Sequence, residues 1–416
     1  MKKLLPLLLL SLTLPIMSSC QAVSVKSDVY LNEVLMMDER PHVEVPEDLI
    51  TSVYQLSDEI TPDYFEASTE ANQIFSPLSL WYALGVLREG ATGETLSELD
   101  QMMKLPQNFS SREVIPQLSM ILNFMEQSGR TTGIKNGIRL TNGIFLDSQY
   151  RDNILDSWLD MATDVWGTEV AAVDFTDGSA VKNIIQQWVA RKTNDFIPDY
   201  EPNFTTDGNT ILNIYNVLYL KDQWQEPFQE IETKMFQTLD GFVHVPYFAG
   251  VHETEHWIDR ENVQGAAFTG ETGIKIWFLL PREDLDPVEL LPKLRELLAN
   301  NEPALVNFQG PKLNLDGENL SLGELLTAKG YSRLFSNAEL GRMFKDIKAN
   351  VGDIRQKAKL EIDHKGFQAA AVTEVSITGA AAPPDAPVDL IIDRPYLLVI
   401  EYEGLPLFIA RITDPS

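Results

Sequence analysis

The 416-residue chain has a single cysteine, Cys20, only five histidines, and 33 basic residues against 61 acidic ones. One cysteine excludes any disulfide within the chain. A formal charge of −28 excludes nucleic acid as a partner, since binding it takes a basic footprint, and points to a solvated surface kept soluble by self-repulsion. The apolar run from Leu4 to Leu14 is broken by Pro6 and is shorter than the roughly 20 residues of a membrane-spanning helix. No Gly-x-Ser-x-Gly elbow, phosphate-cradling loop or dinucleotide fingerprint occurs. Neither a Pro/Gly/Ser-rich linker nor an internal repeat interrupts Leu49 to Ile412, so one large domain is expected and not two.

What is present begins with Lys2 and Lys3, the apolar run, and Ser18-Ser19 before Cys20. That order reads as a bacterial secretion signal over residues 1–19, and Met17-Ser18-Ser19-Cys20 resembles a lipobox, which makes Cys20 the expected lipid-modified residue. One dual-acylated cysteine is enough to hold a protein on a membrane surface. Removing the signal takes Lys2 and Lys3 with it, leaving 31 basic against 61 acidic residues and a formal charge of −30. Residues 20–47, acidic and carrying Pro41 and Pro46, are expected to form a stalk before a single domain at 48–416. The implied location is outside the cytoplasmic membrane, on the cell surface or at the outer membrane and periplasm.

Apolar residues recur at helical spacing in Ser79 to Leu87 and at Val114, Leu118, Ile121, Leu122 and Met125. Strand-like runs follow at Gly143–Leu146, Ile211–Leu220, Phe242–Val245, Ile274–Leu280 and Lys357–Ile362, and two late strands, Tyr396–Glu401 and Leu407–Ile412, meet near Glu403-Gly404. Helices first and a mixture later predict an α+β fold. His252-Glu253-Thr254-Glu255-His256 fits the H-E-x-x-H pattern of zinc proteases. Two histidines four apart converge on one metal only on a helix; in the strand expected here they stand about 13 Å apart. Asp259 also occupies the place where the extended pattern wants glycine. No metal or cofactor is therefore expected, and zinc hydrolysis through His252, Glu253 and His256 is the weakest reading.

After the run Lys357–Ile362 comes a long segment, Gly366 to Pro387, with no tight-turn signal until Pro383-Pro384. Such a stretch inside a compact domain is usually functional or disordered. Its residues favour a sheet: Ala369, Ala371, Thr373, Val375 and Ile377 are small or uncharged, and Gln368, Ala370, Val372, Glu374, Ser376 and Thr378 between them are more polar. Strand alternation would turn the first set to a core and the second to solvent.

Along nearly its whole length after the signal, the chain resembles a serpin. The resemblance rests on Phe75-Ser76-Pro77-Leu78-Ser79, Gly90-Ala91 with Gly93-Glu94-Thr95, Asn142-Gly143-Ile144-Phe145, Val173-Asp174-Phe175, and Trp188-Val189 with Lys192-Thr193-Asn194. It continues through Asn216-Val217-Leu218-Tyr219-Leu220-Lys221, Trp224, Pro227-Phe228, Asp393-Arg394-Pro395-Tyr396-Leu397, Leu407-Phe408, Arg411 and Pro415. It implies three β-sheets, about nine helices and an exposed reactive loop at 366–387. The implied activity is not enzymatic: the chain is an irreversible inhibitor and monomer whose partner is a serine protease. The resemblance further implies that the protease serine attacks the loop and that the cut loop enters the main sheet as a strand before the acyl-enzyme hydrolyses.

Counted along the family's loop from Gly366 and back from Pro383-Pro384, the reactive bond is Ala380-Ala381. No lysine or arginine lies between Gly366 and Asp393, and no aromatic, leucine or methionine between Gln368 and Asp389, so an elastase-like or subtilisin-like target is implied. The hinge is Gly366, Phe367, Gln368, Ala369, Ala370 and Ala371, and Ser76, Ser79, Asn216 and Trp224 match elements through which the sheet opens. The family usually has glutamate where His364 stands, a small residue where Phe367 stands and often histidine at Gln356. Phe367 turns inward on insertion and is expected to slow it; a non-inhibitory serpin, cut without trapping, is the alternative. The Cys20 reading has its own test: Cys20→Ser should release the protein from membranes into the detergent-free soluble fraction, and unchanged membrane association would defeat it.

Overall fold

In the computed structural model, the described residues are 36–39, 43–127, 135–202, 204, 210–282, 285–317, 320–367 and 386–416. The signal, Cys20, Gln368, Ala369, Ala370, Ala371, Ala380 and Ala381 lie outside them.

The α-helices are α1 (Glu47–Ala67), α2 (Pro77–Gly90), α3 (Gly93–Met102), α4 (Ser111–Ile121), α5 (Asp156–Asp160), α6 (Gly178–Lys192), α7 (Leu294–Ala299), α8 (Leu322–Ala328) and α9 (Arg333–Ser336). The first strands are β1 (Gln73–Phe75), β2 (Asn123–Gln127), β3 (Lys135–Asp147), β4 (Glu169–Val173), β5 (Leu212–Gln223), β6 (Gln229–Gln237), β7 (Phe242–Asp259), β8 (Val263–Thr269) and β9 (Lys275–Pro281). The later ones are β10 (Glu302–Pro311), β11 (Leu313–Asp316), β12 (Leu320–Ser321), β13 (Arg355–Gln356), β14 (Lys359–Ile362), β15 (Gly366–Phe367), β16 (Val388–Ile391), β17 (Tyr396–Tyr402) and β18 (Leu405–Ile412).

Three sheets result. The larger, nine-stranded, runs β1-β18-β17-β9-β8-β7-β10-β16 with β6 paired to β7. A seven-stranded sheet runs β11-β14-β15-β5-β3-β2 with β4 on β3, and β12 pairs with β13. Hydrophobic burial builds the fold around β17 and β18, whose residues are almost all buried; their hairpin turns at Glu403 and Gly404, both at positive φ (48° and 80°), as a two-residue turn requires. Helix α2 is buried on every side from Pro77 to Leu87, as expected of a helix inside a core, and only Arg88 and Glu89 in its last turn are partly exposed. Ser76 caps it by accepting from Ser79 N, with Pro77 at the first helical position, where no backbone donor is needed.

The seven-stranded sheet is faced on both sides. Even-numbered residues of β5, Leu212, Ile214, Leu218 and Leu220, join the main core, and odd-numbered Tyr215, Val217 and Tyr219 pack with Val181, Ile185 and Trp188 of α6. Period-two alternation thus gives one strand two different interiors.

Two expectations need correction. The helical spacing through Leu122 and Met125 ends at Ile121, because Asn123 to Gln127 instead pair with residues 139 to 135 of β3. The stalk meets the body before residue 47: Met37 N donates to Asn123 O (3.0 Å), Met125 N donates to Met37 O (2.9 Å), and Met36, Met37, Val43 and Val45 pack on the apolar interior. Charge and proline made this segment read as solvated; its four apolar side chains decide otherwise.

Candidate functional site

The site begins with a parting in the seven-stranded sheet. Strands β5 and β14 are joined through β15, whose Gly366 and Phe367 lie opposite Gln223 and Asp222 of β5, with Phe367 also opposite Ile362 of β14. Below that level no pairing links β5 to β13 or β14 among the described residues. A cleft lined by Leu218, Leu220, Ala358, Leu360, Ile400 and Phe408 separates them, and a wider one, about 520 Å³, continues between 211–215 and 348–355. The segment after α6 crosses the outer side, where Lys359 Nζ stands 4.7 Å from the Phe196 ring centre.

At the mouth of the cleft the chain reverses through Asp363 to Gly366. Asp363 Oδ1 accepts from Lys365 N (2.8 Å) and Gly366 N (3.3 Å), a carboxylate holding its own turn. Trp224 fastens the turn to β5: its Nε1 donates to Asp363 O (2.8 Å) and its N to Lys365 O (3.1 Å). Glycine is required at 366, because a Cβ there would lie 2.3 Å from Asp222 O. Phe367 is fully buried, edge-on to Trp224 with ring centres 5.1 Å apart. The hinge phenylalanine therefore already points inward, without waiting for insertion. Burial holds the His364 imidazole below its usual pKa, and Lys312, ion-paired with Glu230 at 2.7 Å, pushes the same way, against the opposing pull of Asp363.

Halfway down, two polar pairs bridge α2 to the strands on either side of the cleft. Ser76 N donates to Gln356 Oε1 (2.6 Å) and Gln356 Nε2 to Ser76 O (3.0 Å), so glutamine at this position satisfies both backbone groups of the cap. Across the cleft, Asn216 Nδ2 donates to Asn142 Oδ1 (2.8 Å), whose Nδ2 reaches Tyr82 O at 3.5 Å. Asn216 Oδ1 is buried with no hydrogen-bond partner among the described residues. Trp224, Gly366 and Phe367 thus meet at the mouth, Ser76 and Asn216 bond to Gln356 and Asn142 farther down, and Ser79 is placed only by its N donating to Ser76 Oγ (3.2 Å).

His252, Glu253 and His256 are elsewhere, on β7. His252 Nδ1 pairs with Glu226 Oε2 (2.8 Å) beside Phe228, while His256 Nδ1 meets Asn301 Oδ1 (3.2 Å) and its ring lies against Trp277. The strand sends the two rings to separate partners. Gln356 had been singled out from the family pattern, whereas Asn142 and Asp363 were not anticipated as partners of the cleft. Nor was Asp222, whose one signal was a carboxylate at an inward position of an apolar strand.

Removing the Phe367 ring should leave a hole beside Trp224. Phe367→Ala is expected to destabilise the native form by about 3–5 kcal/mol, seen as a lower denaturation midpoint and a redder tryptophan emission. An unchanged midpoint would mean that Phe367 is not seated there in solution.

Comparison with known proteins agrees with this geometry. The family profile described as Serpin (serine protease inhibitor) matches residues 54–415. Alpha-1-antiproteinase of Callosciurus caniceps is 27% identical over 374 residues, covering 84% of each chain, and human alpha-1-antichymotrypsin is 27% identical over 366 residues, covering 83% of each. Among solved structures, the thermophilic serpin tengpin in its native state superposes with a TM-score of 0.76 at 20% identity, over 91% of this chain and 97% of that one. With its three sheets, its parted main sheet and a profile match over most of its length, the chain belongs to the serpin family of serine protease inhibitors and is not an enzyme.

Proposed function

We propose that this protein is an irreversible, suicide-substrate inhibitor of elastase-like or subtilisin-like serine proteases, and that it traps the acyl-enzyme by drawing its cut loop between β5 and β14. One observation carries the reading: Gly366 and Phe367 already occupy the strand place between β5 and β14, and the sheet has no strand below them among the described residues.

The register of those two residues supports the rest. Continued downwards, it sets Ala371 opposite Leu218 of β5 and Ala358, both on the core side. It sets Thr373 opposite Asn216 and Gln356, where a hydroxyl can donate to the buried Asn216 Oδ1. Small residues meet the apolar part of the cleft and a polar one meets its polar part. Each new backbone hydrogen bond contributes about 0.5–1.5 kcal/mol net, so a dozen would make insertion effectively one-way.

Alanine at 380 suits a small primary pocket and offers no bait to trypsin-like or chymotrypsin-like enzymes. Lipidation at Cys20 would hold the inhibitor at a membrane surface outside the cytoplasm.

An SDS-stable complex with an elastase is the expected result for the wild type. Ala371→Glu would bury a carboxylate against Leu218 and Ala358, costing several kcal/mol, so the loop should still be cut while trapping fails. Efficient trapping by that variant would remove Ala371 from the core and end the insertion reading. A clean cut of the wild type without complex would leave the non-inhibitory alternative.

The reactive bond has a separate test. Ala380→Arg should create trypsin inhibition and depress elastase inhibition; full elastase trapping with none of trypsin would show that the bond lies elsewhere.

A further inference from the structure

Opposite Phe367, at the level where the sheet is already three strands wide around the hinge, β5 carries an aspartate on its core side. Asp222 is fully buried. Its Oδ1 accepts from Gln223 N (2.9 Å), and its Oδ2 accepts from both Thr272 N (3.0 Å) and Thr272 Oγ1 (2.7 Å), on the turn between β8 and β9. The fit is close: a Cβ on Gly270 would lie 2.0 Å from Asp222 Oδ2. Around it, Glu271 N donates to Gln223 O (2.8 Å), Gln225 N to Thr269 O (3.0 Å), and Trp224 bridges Gly270. The top of β5 is thereby stitched to the larger sheet just above the level where it must swing away from β14.

We propose that Asp222 is a positioning residue for loop insertion, a latch that holds the top of β5 to Thr272 and whose protonation state sets how readily the sheet parts below. This rests on the insertion reading above. Three donors point at the carboxyl, yet no basic side chain bonds to it among the described residues. Burial is the largest influence and raises its pKa from 3.8 to about 7; the Thr272 and Gln223 hydrogen bonds oppose the rise, and the like charge of Glu271 adds to it. The other charged groups at the mouth are Lys221, on the opposite face of β5, and Asp363, His364 and Lys365 on the hinge turn. A charged carboxylate in such a place is penalised, and the penalty is relieved when water enters as the strand moves.

The sign follows. A carboxyl whose pKa is raised in the closed sheet stabilises that sheet while it keeps its proton, and loses that contribution as pH rises through about 7. Opening should therefore quicken with pH across neutrality.

The test needs no target protease. A labelled synthetic peptide with the sequence of residues 368–381 is incubated with the intact protein, and its rate of incorporation is followed on native gels between pH 6 and 8.5. Incorporation into wild type should quicken about tenfold over that range, the change that one unit of differential pKa produces. Asp222→Asn, which cannot ionise, should stay near the slow rate at every pH. Thr272→Val loses a donor that favours the charged form, so its midpoint should move to higher pH, whereas Thr272→Ser should leave it in place. A wild-type rate that is flat with pH, an Asp222→Asn profile that still rises, or an unmoved midpoint in Thr272→Val would each overturn the latch alone. Failure of the peptide to enter any variant at any pH would overturn both the latch and the insertion reading beneath it.

Discussion

A sheet that, among the described residues, lacks a strand between β5 and β14 below Phe367 is the constraint on which the rest of the molecule depends. Backbone donors and acceptors are obligatory groups, and burying them without partners is costly. Below Asp222 the described residues of β5 have a strand neighbour on the β3 side, while towards β14 they face a cleft. The apolar side of that cleft is floored by Ile400 and Phe408 of the larger sheet. Any segment of alternating small and polar residues with access to the cleft can satisfy both demands at once. In sequence, the alternating residues Ala369 to Thr378 follow directly on β15.

Contacts at several levels surround the parting. At the top, Trp224, Phe367 and the Asp363 turn form a packed plug; in the middle, Ser76 with Gln356 and Asn216 with Asn142 keep α2 registered to both halves. On the outer face α6 is fixed by Trp188 Nε1 donating to Glu169 Oε2 (2.8 Å) and by a buried ion pair of Lys192 with Glu169. None of these contacts runs through the cleft itself. A strand could enter while most of the core, centred on β17 and β18, remained as it is.

Much of this was legible in the sequence, and the losses have physical causes. Strands such as Ile211–Leu220 and Tyr396–Glu401 were found because both faces meet apolar interiors, which makes each a nearly continuous apolar run. The Leu118-to-Met125 spacing misled because a helix and the following strand both place apolar residues inward, and i, i+3, i+4 continues by chance across Ile121 and Asn123. Phe367 was read from its deviation from a small residue; that its ring already sits against Trp224 depends on a cavity no local pattern reveals. Asp222 could be seen only as a carboxylate out of place on an apolar strand, since its partner Thr272 lies fifty residues away in the chain. The alternation of Ala369, Ala371, Thr373, Val375 and Ile377, by contrast, can be read from sequence because it is a strand pattern, whichever strand place it is destined for.

The docking of Met37 on β2 also sets a length. A chain spans at most about 3.5 Å per residue, so an anchor at Cys20 could stand roughly 95 Å from a body that began at Glu47, but only about 60 Å from one that begins at Met37. The attachment point moves as well, to the β2 edge of the sheet, with β14 and β11 at the other side. A membrane tether at Cys20 would therefore pull on the β2 flank of the sheet, with β3 and β5 between it and the cleft, and would leave the β14 and β11 side unburdened.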